Sequence, residues 1–467
     1  MTSSRRTLTI AGLALVLLLC WSFRTMRMDP GLAPPKSGSG LARSSQKPLS
    51  TTTSSSSNSG SGLLPHVDNY FEQVFSAGRP RDYDYAALKD ACDRAAWPAE
   101  QDEVYLKCGG MAAGLTSIIS QVKVCLKMAV ETGSNIVLPA MPLRDSTNLR
   151  EFNFLNGEAY LTYDKWFDAD HLREQLARAC PRIKVVHPDE LGRSVAVKHD
   201  WEVSCANAFG YRKIHSYFWA GRPFRTFFSG ELTKLRQLNF LDPARDDAKA
   251  GITVVGIDSE FLLFRVTDDP TRRDLRLWND LGHLVRFREE PRQIIDRLLR
   301  GMMRPFYGVH FRVENDTIWS SLDNQLKVDL DALDRAWELY GPPDKSPTQE
   351  KPLVYLACGD QQQVEKFVAA GAARGWEVTH KWRLADAETA RMIDELAFDF
   401  QGAIDMGVMV RSEFFLGLTG SAFSSTVANQ RDVTGRYRGS SFADPDDEGA
   451  RTHLFNDQDA DEYACCL

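Results

Sequence analysis

Residues 307–319 read YGVHFRVENDTIW, a stretch that supports two structures excluding each other. Asn315-Asp316-Thr317 is an N-glycosylation acceptor, which calls for an exposed loop of a secreted or lumenal protein. Tyr307 to Phe311 is instead a short apolar run suited to a buried strand. His310 and Arg312 then stand at its C-terminal end, where α/β proteins place ligand-binding groups. Alternation at period two carries His310, Arg312, Glu314 and Asp316 to one side while the strand lasts. On the second reading the segment floors a cleft, and Asn315 is unoccupied or sits at the lip.

The flanking sequence shows what kind of fold holds this stretch. A helix is expected around Arg292–Met303, before the 307–311 strand. Beyond it, strands at Leu353–Ala357, Trp376–Thr379 and Phe414–Leu418 alternate with helices at Asp360–Ala373, Ala387–Phe400 and Gln401–Val410 and one opening at Ser421. Strands and helices alternating in this way build a parallel sheet with covered faces. The first half repeats the theme. Leu115, Ile118, Ile119, Val122, Cys125, Leu126 and Ala129 recur at helical spacing, with Lys123 and Lys127 opposite, and Gly133 ends that helix. Strands are expected at 135–138, 184–186 and 252–257, with a helix over 168–179. Residues 200–285 otherwise give no clear pattern.

Three constellations carry chemistry. A guanidinium at Arg312 suits a diphosphate through paired hydrogen bonds; an ion pair with Glu314 or Asp316 that closes a loop fits the same spacing. Leu418-Thr-Gly-Ser-Ala-Phe-Ser-Ser-Thr426 puts Gly and Ser at a helix mouth after a strand, where free backbone N–H groups receive phosphate. A Ser-capped helix with no ligand has the same signature. Cys108-Gly-Gly-Met-Ala-Ala-Gly114-Leu-Thr-Ser117 is a glycine-bearing turn into a helix, weak by itself. There is no P-loop and no spaced Cys/His cluster for zinc, so no metal or cofactor is expected. Asp168 and Asp170 would suit Mn²⁺, but Asp168 is read as a helix cap.

The N-terminus describes a different environment. Arg5-Arg6 precede an apolar run, residues 7–23, and Arg24 and Arg27 close it. About 17 residues is the lower limit for a membrane span, and no small-x-small cleavage site follows, so a signal anchor is preferred to a cleaved signal. Residues 1–28 are assigned to a cytoplasmic tail and anchor helix. Residues 29–65 form a Ser/Thr/Pro/Gly stem too poor in apolar groups to fold. The body is divided into an α/β domain at 66–290, a second at 291–440 and a tail at 441–467. This is the layout of a single-pass type II protein of the Golgi or endoplasmic reticulum. Eight cysteines follow the anchor, an even number that permits disulfides without fixing their pairing; the alternative is that some, such as Cys125 on an apolar helix face, are simply buried thiols. The net charge of −7 argues against nucleic acid as a partner.

Taken in order, the three constellations resemble the GDP-fucose O-fucosyltransferase superfamily, with a texture closest to its fungal O-fucosyltransferase-like members. The glycine turn resembles G-G-x-x-x-G-L-N-Q. His310-x-Arg312-x-Glu314-x-Asp316 matches H-x-R-x-E-x-D. Asp405 and Phe423 keep the spacing of an acidic residue and an S-S-F segment, and Thr162–Asp168 is similar to a phrase ending in aromatic-Phe-Asp. The likeness runs from Val104 to Arg431. It implies a GT-B-like fold, two Rossmann-like domains facing across a cleft, and a metal-independent, inverting transfer of fucose from GDP-fucose to a protein or glycan hydroxyl. Arg312 would hold the β-phosphate, His310 would lie near the nucleoside and Asp405 would contact guanosine. Ser421, Ala422, Phe423 and Ser424 would form the second phosphate wall. Ala113, Gly114, Leu115 and Thr116 would close the site from the first domain. Glu314 and Asp316 are the candidate bases. Thr116-Ser117 replaces the Asn-Gln of the pattern, which bears on sugar specificity. Alternatives are a same-fold transferase using another sugar nucleotide and an inactive, lectin-like GDP-sugar binder.

Overall fold

The computed structural model describes residues 65–111, 114–144, 160–204, 224–240, 251–258, 271, 273–302, 304–313, 321–342, 344, 346, 349–418, 421–431, 440–444 and 447–454. The candidate anchor and all of the stem but Pro65, and with them Ala113, Glu314, Asn315 and Asp316, lie outside these; Pro65 opens a helix, Pro65–Val74. Among the described residues no helix is long and apolar enough to cross a membrane.

The α/β expectation holds. Strands β1 (Val104–Gly109), β2 (Asn135–Val137), β5 (Val185–Val186), β6 (Val197–Val203) and β7 (Ile252–Asp258) form a wholly parallel sheet in the order β5-β2-β1-β7-β6. A small antiparallel pair, β3 (Ala140–Pro142) and β4 (Tyr160–Thr162), stands beside it. In the second half β8 (Phe306–His310), β9 (Leu353–Ala357), β10 (Val378–Thr379) and β11 (Phe414–Leu418) pair in parallel as β10-β9-β8-β11. β12 (Ser440–Asp444) and β13 (Asp447–Leu454), from the stretch expected to be mostly tail, extend that sheet antiparallel. Every residue of β8, β9 and β11 is buried, as strands covered on both faces must be. The stretch that gave no pattern holds β6 and the helices Phe224–Phe240 and Arg273–Leu284. A helix at Leu322–Tyr340 was likewise not expected.

Two expectations need correction. Lys123 and Lys127 do not form a solvent face opposite the apolar stripe; both are buried, because the Leu115–Thr132 helix is enclosed on all sides. Lys123 Nζ lies 3.9 Å from the centroid of the Trp278 ring, and Lys127 pairs with Glu131 and Asp274, which gives each buried charge a partner. Cys125 is not a free thiol: it is bonded to Cys108, and Cys92 to Cys180. Apolar helix spacing cannot distinguish a thiol that packs from one that meets a second sulfur. The stop at Gly133 is as expected, with φ +64, and a Cβ there would come within 2.5 Å of the Ala96 carbonyl oxygen.

One core cluster runs through both halves of the chain. Tyr70 of the Pro65–Val74 helix and Phe75 just after it share it with Ile118, Phe287, Ile295, Ala403 and Val427. Arg286 Nη1 and Nη2 donate to the carbonyls of Glu72, Gln73, Ser76 and Gly78, closing the C-terminal end of that first helix. Asp168 is a helix cap, its Oδ1 accepting from His171 N at 2.9 Å, while Oδ2 faces Arg286 and Arg292.

Candidate active site

All three constellations open on one cavity of about 230 Å³. Its wall takes Gly114, Leu115, Thr116 and Ser117 from the first helix mouth and His310 and Arg312 from the end of β8. Ser421, Ala422 and Phe423 come from the second helix mouth. Residues more than 300 positions apart in the chain, Gly114 and Ser421 among them, therefore meet. β8 and β9 are parallel and end together, so the loops after His310 and Ala357 emerge at the same rim. This is where ligands bind in open α/β sheets.

His310 is buried, and its Nδ1 lies 2.8 Å from Ser424 Oγ. Burial, with the nearby Arg312 guanidinium, pushes its pKa down to about 3, so the imidazole is neutral at physiological pH. Ser424 Oγ accepts the Leu418 N–H at 3.0 Å. That leaves the serine its own hydrogen to give to His310 Nδ1, a tautomer that carries the imidazole proton on Nε2. The ring is tilted against Phe423 at 4.5 Å. Ser424 thus supports His310 from behind and is not among the residues lining the cavity. Ser421 Oγ accepts from Ser424 N at 3.4 Å, in the manner of an N-cap.

Asp405 also lies on the wall, with both carboxylate oxygens engaged. Tyr355 Oη donates to Oδ1 at 2.7 Å and Lys381 Nζ to Oδ2 at 2.6 Å. Burial raises the Asp405 pKa and the Lys381 ammonium opposes that rise. Each oxygen keeps a second lone pair for a ligand.

Sequence reasoning missed a second pair. Asp399, in the first turn of the Phe398–Val410 helix, is fully enclosed. It accepts from Leu115 N at 3.2 Å, from Arg144 N at 3.1 Å, and from Arg144 Nε and Nη2 at 2.9 and 2.8 Å. One carboxylate from the second half thus ties the first helix mouth to the loop after β3. Neither residue belongs to a sequence motif; only their convergence on Gly114 and Leu115 marks them. Gln401, Cys358 and Lys381 are further polar residues of the lining that it missed. Among the described residues no group of three or more His, Cys, Asp or Glu side chains is placed to hold a metal ion.

No protein-family model and no curated protein matches the chain. Among solved structures it is similar to POFUT1 in complex with GDP-fucose, with 12% identity, a TM-score of 0.42, and coverage of 72% of this chain and 96% of that one. POFUT1 in complex with GDP gives 13% identity, a TM-score of 0.39 and the same coverage. A mutant of Arabidopsis thaliana FUT1 in complex with GDP gives 12% and 0.37, over 83% of this chain and 81% of that one. At this closeness, function has to be argued from the site.

Proposed function

We propose that this chain is a glycosyltransferase that moves fucose from GDP-fucose to a hydroxyl of a protein or glycan. The observation that supports it is the meeting of Arg312, the Ser421 helix mouth and the Gly114–Ser117 helix mouth in one cavity. In the reaction the acceptor oxygen bonds to C1 of the sugar, the bond from C1 to the diphosphate oxygen breaks, and GDP leaves with the electron pair. Positive charge grows on the ring and negative charge on the diphosphate. Fixed donors aimed at that leaving group are often the largest catalytic term. Arg312 supplies a forked cation, and the two helix mouths supply backbone N–H groups. Attack from the face opposite the diphosphate inverts C1. The hydroxyl proton passes to Glu314 or Asp316 or, in a dissociative transition state, to water. His310 stays neutral and cannot add charge, but its Nε2–H is a directed donor for the ribose or a phosphate oxygen.

The two disulfides support an oxidising compartment. With residues 7–23 as a signal anchor, the catalytic body would be lumenal in the Golgi or endoplasmic reticulum. The acceptor is sought by mass spectrometry of products.

The test is a donor panel assayed with and without chelator. Transfer from GDP-fucose that survives chelation is expected. An absolute Mn²⁺ requirement, or preference for a UDP-sugar, would overturn the reading. GDP binding without transfer would favour the lectin-like alternative. Arg312→Lys should lower transfer by about 10²–10³ at unchanged melting temperature, since an ammonium cannot make the forked contact.

A further inference from the structure

We infer that Arg144 is a second diphosphate-holding residue, contributed by the first half of the chain and positioned by Asp399. The inference rests on the donor reading above and extends it to a residue outside all three motifs. Arg144 lines the same cavity as Arg312. Asp399 takes its Nε and Nη2, which fixes the plane of the guanidinium. Nη1 makes no hydrogen bond among the described residues. A guanidinium has five N–H donors, so one edge stays available for an anion while the other is held.

Gly114 supplies an independent observation. Its φ of −77 is ordinary, so no backbone strain requires glycine. A Cβ there would lie 2.8 Å from Arg144 Cζ and 2.9 Å from both Nη1 and Nη2. Near-equal distances to these three atoms mean that the guanidinium lies flat on the Gly114 α-carbon, and glycine gives it room. Gly114 gives the helix that follows no side-chain cap of its own, and of the first-turn N–H groups Asp399 takes that of Leu115. Thr116, 6% exposed, lines the cavity, and its hydroxyl has no hydrogen-bond partner among the described residues. Guanidinium edge, helix mouth and unpaired hydroxyl thus face one space, a donor set that suits phosphate oxygens. Arg144 also puts N–H donors on the wall where Thr116-Ser117 replaces a longer amide pair.

Calorimetric titration of the full-length protein with GDP, guanosine and inorganic pyrophosphate tests this. Arg144→Ala should weaken GDP about 10- to 100-fold, as expected for one charge-assisted hydrogen bond, and leave guanosine within about twofold. Gly114→Ala, which pushes the guanidinium off its seat, should weaken GDP in the same direction and leave guanosine within about twofold. Equal GDP affinity in Arg144→Ala, or equal loss of GDP and guanosine, overturns the proposal. If the wild-type protein binds neither GDP nor guanosine, the GDP-sugar reading fails separately. Pyrophosphate then decides for Arg144: weaker binding by Arg144→Ala supports it, and equal binding or none by the wild type overturns it.

Discussion

The two helix mouths on the cavity are alike in sequence and differ in how their backbone groups are satisfied. At Ser421 the partners are close in the chain. Ser421 Oγ accepts from Ser424 N, and Ser424 Oγ accepts from Leu418 N. At Gly114 there is no side-chain cap from the neighbouring residues, and Leu115 N donates to Asp399, 284 residues away. The Ser421 mouth is complete once its own loop folds, whereas the Gly114 mouth is complete only when both halves of the chain are in place. A helix mouth left open by its local sequence is therefore a place where distant parts of the molecule are joined.

The largest effect that would break this contrast is Asp399→Ala. It strands a partly buried guanidinium and two N–H groups at once, and removing one partner of a buried pair costs about 3–5 kcal/mol. Urea unfolding should show that loss; a change below about 1 kcal/mol would mean that the joint carries little. The His310 pocket, beside the Ser421 mouth, gives a smaller, pH-dependent effect. Its folded pKa of about 3 lies below the ordinary value of 6.5. The unfolded chain therefore takes up a proton that the folded one refuses. Stability from this group is fully present above about pH 6.5 and is lost as pH falls toward 3. Between pH 6 and 4 the stability of the wild type should fall more steeply than that of His310→Gln, by up to about 1.4 kcal/mol per pH unit. Parallel curves would refute the neutral buried imidazole. Smallest is Ser421→Ala, expected to cost about 0.5–1 kcal/mol through a long cap bond. A cost as large as that of Asp399→Ala would erase the difference between the mouths.

These contrasts also mark how far the sequence was legible. β8, β9 and β11 could be read because FYGVH, LVYLA and FFLGL are unbroken apolar runs with helices between them. The Asp168 and Ser421 caps could be read because a cap bonds to residues three positions on. The helix at Leu322–Tyr340 was not among the expected elements although its Ser321 cap is equally local. Arg144, Lys381 and Asp399 left no local signal, since each acts on residues at least 24 positions away.

The sequence by itself determined the alternation of strand and helix and the loop positions of His310, Arg312, Gly114 and Ser421. Periodicity and capping are short-range, so a window of a dozen residues contains their causes. Only the tertiary structure decided that Lys123 and Lys127 are buried, that Cys125 meets Cys108, that Ser424 supports His310 instead of facing the cavity, and that Asp399 locks Arg144 against Gly114. Burial, pairing and charge compensation depend on which surfaces the folded chain brings together, and that information is not contained in any one segment.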